Sequence, residues 1–146
     1  QALRHSVWAY PIVNAAHLLG VALLVGAVIP LDLRLLGVWP SVPLMPLWRV
    51  LARTAVAGFV LAATFGSLLF ITAASEYVGS GFFLAKMTIV GVATANALVL
   101  RTVIDGRLSQ PGSTNGSLSP CTRVAAGISL LAWSATLVLG RLVGYF

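Results

Sequence analysis

The sequence predicts an all-α fold, a bundle of four transmembrane helices with no soluble domain of any size, and three observations carry that prediction. Of 146 residues, 59% are hydrophobic and 8% charged, with a mean hydropathy of +0.99. A soluble domain could not cover its surface with so little charge. Four apolar runs stand out, at about 7–29, 54–74, 82–100 and 124–146, each long enough to cross roughly 30 Å of hydrocarbon at about 1.5 Å per residue. Finally, the runs are apolar all round rather than alternating, which excludes barrel strands. In lipid a helix satisfies its own backbone polar groups.

The first run follows Arg4 and has the look of a secretory signal, but it is too long for an h-region and holds Pro11, Asn14 and His17. It is expected to be a helix of the mature protein. The connection after it, 36–53, carries Trp39, Pro40, Pro43, Met45, Pro46 and Trp48. That composition predicts a rigid interfacial segment with indole rings among the headgroups. The second and third runs are joined by a short turn. The third and fourth are joined by 102–122, whose centre reads S-Q-P-G-S-T-N-G-S-L-S-P, a flexible polar loop. No internal repeat argues for an inverted-repeat transporter. The single cysteine, Cys121, allows neither a disulfide framework nor a thiolate metal site within one chain.

Charge sets the expected orientation. Arg34, Arg49, Arg53, Arg101, Arg107 and Arg123 flank the two long connections, whereas the opposite side has Arg4, Lys86 and Arg141. The positive-inside rule puts both termini outside, the periplasm in a Gram-negative cell, and the long connections in the cytoplasm. The localisation expected is a bacterial inner (cytoplasmic) membrane. The net charge of +6 then faces anionic lipid rather than nucleic acid. Small residues recur within the spans, among them Gly20, Gly26, Gly58, Ala62, Gly66 and Gly91. Such residues let membrane helices approach closely, as a compact bundle requires.

Few ionisable groups lie inside the spans, and each costs about 2.5–3.5 kcal/mol at a helix centre on insertion scales. His17 falls about 13 Å along the first helix from Trp8, too deep to reach the interface. Asn14 and Gly20, three residues to either side, share its face. A glycine one turn from a histidine suits a flat macrocycle lying close to the backbone beside its axial ligand. The alternative is a hydrogen bond from His17 to a hydroxyl or carbonyl across the bundle. His5 lies about 18 Å from His17 on the same helix, so a second axial ligand in this chain must come from another helix. Lys86, four residues into the third run, has three readings: it snorkels to the interface, pairs with Glu76, or ligates iron through an amine that has shed its proton. Met87 points about 100° away from it.

The order of a first-helix histidine, an arginine-containing cap at its far end and F-x-x-K opening the third helix resembles the HemJ-type protoporphyrinogen oxidases, small four-helix membrane proteins that hold a b-type haem. The segment P-L-D-L-R-L-L-G with Arg34 is similar to the L-P-R-L-F stretch of that family. The resemblance implies that His17 and Lys86 are the haem ligands. The family's histidine near the inner end of the third helix is missing here, where Asn96 and Ala97 stand, so porphyrinogen oxidation is not implied with it. S-V-W-A-Y-P, His17, D-L-R-L-L-G, L-L-F with E-Y, F-L-A-K-M with N-A, and G-R-L-V-G-Y together resemble a bacterial family of small four-helix membrane proteins. That second resemblance spans nearly the whole chain and implies a fold but no activity.

Three functions follow as expectations. The first is a b-type haem protein of electron transfer or redox chemistry, with His17 and Lys86 as axial ligands, Asn14 and Gly20 beside them, and Arg141, Arg4 or His5 for the propionates, since guanidinium pairs bidentately with carboxylate. The second is a cofactor-free accessory subunit of a larger membrane complex or homo-oligomer, with Glu76, Lys86 and Arg141 as an ion cluster; a variant has His17 ligating the magnesium of a chlorophyll pigment. A channel or carrier comes last, for want of a charged ring or broken helix. Asp32 and Arg34 are expected to cap the first helix and bind headgroups or each other. No nucleophile beside a base and no phosphate loop is visible.

Overall fold

The computed structural model describes residues 8–77, 81–109 and 118–142, without the side chains of 73–77. Its elements are α1 (Ala9–Leu36), α2 (Leu44–Tyr77), α3 (Gly81–Leu108) and α4 (Pro120–Leu142). Each contains a stretch long and apolar enough to cross a membrane. The chain is therefore an all-helical integral membrane protein. The two ends of the bundle are called here the terminal end, where α1 begins and α4 finishes, and the loop end, where α1 passes to α2 and α3 to α4.

The helices overrun the boundaries expected from hydropathy, mostly at the loop end. The first does not stop before Pro30 but continues to Leu36. Proline removes one N–H from the ladder, a loss that membrane helices tolerate. α1 ends instead at Gly37, whose φ of 97° is left-handed. The Gly37 N–H donates to the Arg34 carbonyl at 3.1 Å and the Val38 N–H to the Leu33 carbonyl at 3.0 Å, a Schellman closure that uses glycine's freedom at positive φ. The Arg123 guanidinium from α4 donates to the Leu36 carbonyl at 2.9 Å, adding positive charge at the helix C-terminus.

α2 starts at Leu44, ten residues before the apolar run, so most of the expected interfacial segment is helix. Trp39 is 45% exposed, but Trp48 is 7% exposed and its Nε1 donates to Asp105 Oδ1 at 2.7 Å. Trp48 is a core residue that ties α2 to α3. At the other long connection, α3 runs on to Leu108 and α4 starts at Pro120 rather than 124. The start is built by Ser119, whose Oγ accepts the Thr122 N–H at 3.3 Å, with proline at the first helical position. The expected ends at Val7 and Phe146 and the centre of the polar loop lie outside the described residues.

α1 packs against α2 and α4, and α3 against α4; on the fourth side α2 and α3 meet through Trp48 with Asp105 and through stacked Phe70 and Phe83, 5.2 Å between centroids. Two clusters fill the interior. Leu31, Leu35, Trp48, Leu100, Ile104 and Ala126 seal the loop end, while Leu24, Val28, Ala93 and Trp133 lie at mid-height. Among the described residues, none in 9–19, 63–72, 81–92 or 134–142 is buried. The core stops short of the terminal end. The Trp48–Asp105 bond should be measurable: Asp105→Ala, which leaves a buried N–H unpaired, is expected to lower equilibrium stability in detergent by about 1–3 kcal/mol. Asp105→Asn, which keeps an acceptor, should recover most of that loss.

Candidate functional site

α1 and α2 cross on small residues. A side chain at Gly20 would place its Cβ against the Ala62 backbone N and the Gly58 carbonyl, and one at Gly58 would meet the Leu24 N. The closeness that Gly20 permits is thus taken up by α2 itself. This corrects the expectation that Gly20 makes room for a macrocycle: its face is covered by another helix, whose Gly58, Ala62 and Gly66 recur every four residues and turn one small stripe toward α1.

One turn beyond Gly20 toward the terminal end, His17 lies half-buried on the same crossing. Its Nδ1 donates to the Ala62 carbonyl at 2.8 Å. Gly66 makes room for the ring: a Cβ there would sit 3.0 Å from His17 Cε1 and 3.1 Å from Nδ1. With Nδ1 donating to that carbonyl, Nε2 is the ring nitrogen left for another partner. This is how metal-ligating histidines are commonly arranged, with the second ring nitrogen donating to a carbonyl. It is equally the interhelical hydrogen bond of the alternative reading.

Lys86 projects from α3 onto α4. Its Nζ is 3.6 Å and its Cε 3.7 Å from where a Cβ on Gly140 would stand, an ordinary packing distance that sets the lysine head against α4. Arg141 is the next residue on α4 and is exposed; Asn14 on α1 is exposed too. The depth of Lys86 relative to His17 follows from the antiparallel pairing of α1 with α4. Asp32 meets Ser129 and Val28 shares a cluster with Trp133, which carries Gly140 to about the level of Val21. Lys86 Nζ and His17 therefore stand on opposite helix pairs, roughly one turn, or about 6 Å, apart in depth. The structure places Lys86 against Gly140, the chain neighbour of Arg141, and His17 with Gly20 on the other pair; Asn14 joins neither contact. Arg4 and His5 and the side chain of Glu76 lie outside the described residues.

The residues that sequence reasoning missed sit in the loop half. Asp32 and Arg34 neither pair nor face headgroups. Arg34 is 8% exposed and donates through Nε to the Val42 carbonyl at 2.7 Å and through an Nη to the Pro40 carbonyl at 3.2 Å. Asp32 is 3% exposed and lies beside the Ser129 side chain. The signal was present, since a span extended through Pro30 would have put both inside the helix. Asn96 Nδ2 donates to the Ala125 carbonyl at 2.9 Å, binding α3 to α4. Among the described residues no three or more His, Cys, Asp or Glu side chains gather to hold a bare metal ion. No family model, curated protein or solved structure matches the chain.

Proposed function

We propose that the protein is a b-type haem-binding membrane protein acting in electron transfer or redox chemistry, with His17 and Lys86 as axial ligands. The observation that carries this reading is the His17 imidazole, whose Nδ1 is committed to the Ala62 carbonyl, so that Nε2 is the ring nitrogen that would ligate a metal. It lies in the half of the bundle where no described side chain is buried, with a lysine on the opposing helix pair. The donor set fits the group: haem brings four nitrogens of its own and asks the protein for one or two axial ligands, so no wider cluster is needed. Bound there, haem would supply one-electron chemistry, with ligand identity and burial setting its potential.

In this reading His17 and Lys86 would hold the iron, the Ala62 carbonyl of α2 would steady the His17 ring, and Arg141 would pair with a propionate. The arginine asymmetry orients the terminal end to the outside of a bacterial inner membrane, so the site faces the periplasmic half. A membrane partner or a second copy of the chain would be the electron-exchange partner.

A second reading has its own observation. Interlocked Gly20 and Gly58, with the His17 hydrogen bond beside them, suffice as a helix clip in a cofactor-free accessory subunit. An absorption spectrum separates the two. Protein purified from haem-replete cells should show a Soret band, and Lys86→Ala should shift it toward a five-coordinate or substituted form. Absence of the band in the wild type would sink the haem reading, and a band carried by extractable chlorophyll would reassign His17 to magnesium.

A further inference from the structure

Asp32 has no role in the haem reading, yet it is the most deeply placed charged side chain described. It is 3% exposed, one turn short of the C-terminus of α1, and its Oδ2 has no hydrogen-bond partner. Its polar side-chain neighbour is Ser129 of α4. One turn further along α4, Trp133 is also 3% exposed, and its indole Nε1 has no acceptor. The cations around Asp32 are all engaged elsewhere or at the surface. On α1, Arg34 turns to the Val42 and Pro40 carbonyls. On α4, Arg123 caps Leu36. On α3, Arg101 sits 3.6 Å from Asp105, and on α2, Arg49 and Arg53 are exposed. No ion pair compensates Asp32 among the described residues.

We infer that Asp32 and Ser129 form a proton-binding site inside the loop half of the bundle. An uncompensated carboxylate buried among apolar side chains is costly, and the charge is removed when a proton binds it. The reaction is reversible protonation of one carboxyl oxygen: the proton arrives from water and returns to it, with no bond to carbon made or broken. The ligand is the proton rather than a metal cation because a hard cation asks for several oxygens. Here the carboxyl is met by a single hydroxyl, and the next polar group along α4 is an N–H donor. Asp32 lies about 6 Å from the α1 C-terminus, between the apolar cluster of Leu31 and Leu35 and that of Leu24, Val28 and Trp133.

The sequence makes the test clean, because it holds three acidic side chains, Asp32, Glu76 and Asp105, and Asp105 is tied to Trp48 and Arg101. Infrared spectra of the wild type in lipid at neutral pH should show a protonated carboxyl band that shifts in deuterium oxide and again when aspartate is labelled with carbon-13. Asp32→Asn should remove the band, and Ser129→Ala should move it to higher frequency. The labelled wild type decides the matter even if Asp32→Asn does not fold. No acid band at neutral pH, a band insensitive to aspartate labelling, or one that persists in Asp32→Asn would overturn the assignment. So would a band lost when sodium replaces choline at constant pH, since a metal cation would then compete for the site. A missing Soret band leaves all these outcomes unchanged, so this inference and the haem reading fail separately.

Discussion

Leucine in place of Gly20 or Gly58 is expected to prevent α1 and α2 from packing and to leave little folded protein in detergent. At both positions the first side-chain atom would fall on backbone: on Ala62 N and the Gly58 carbonyl from one side, on Leu24 N and the Gly20 carbonyl from the other. Overpacking into movable side chains costs about 1–3 kcal/mol. Here backbone cannot rotate away, so the helices themselves must part. Gly26 and Gly91, with nothing within 4 Å of such an atom, are the internal controls. Gly26→Leu and Gly91→Leu should express and unfold like the wild type. The measurement is yield of monodisperse protein together with the thermal midpoint, and equal behaviour of all four variants would refute the crossing.

His17→Ala is expected to abolish haem binding, and with it the Soret band, while changing stability only slightly. The asymmetry follows from magnitudes: an interhelical hydrogen bond in a membrane protein is worth about 0.6 kcal/mol on average, whereas an axial ligand holds the iron directly. Gly66→Ala makes the companion test. Its new methyl would stand 3.0 Å from His17 Cε1, so the ring must shift by a few tenths of an ångström without losing its ligating atom. A retained but displaced Soret band, or an altered paramagnetic resonance signal, is expected. A His17→Ala protein that keeps its full haem content would remove His17 from the site, and the same result in Lys86→Ala would leave that lysine on Gly140 as an anchor.

How much of the site could be read from the chain differs residue by residue. His17 and Lys86 stood out because ionisable groups are rare in apolar runs, and that rarity needs no coordinates. Gly20 was noticed for the right reason, a close approach to the backbone, and assigned to the wrong neighbour, since spacing along one helix cannot say which body approaches it. Asp32 and Trp48 were misplaced together. Hydropathy ends a span where polar residues begin, but burial depends on the facing helix, and here α4 offers Ser129 to Asp32 and α3 offers Asp105 to Trp48.

What the sequence by itself determined is the class and the count: four helices in a membrane, because 59% hydrophobic residues in four runs leave the backbone no other way to satisfy its hydrogen bonds in lipid. The tertiary structure decided where those helices end, which small residues carry their crossing, and that the core is sealed at the loop end alone. These are properties of pairs. A cap such as Arg123 on Leu36, a berth such as Gly66 beside His17, and a buried acid such as Asp32 against Ser129 exist only when two distant segments meet. Hydropathy, which sums over neighbours in sequence, carries no trace of them.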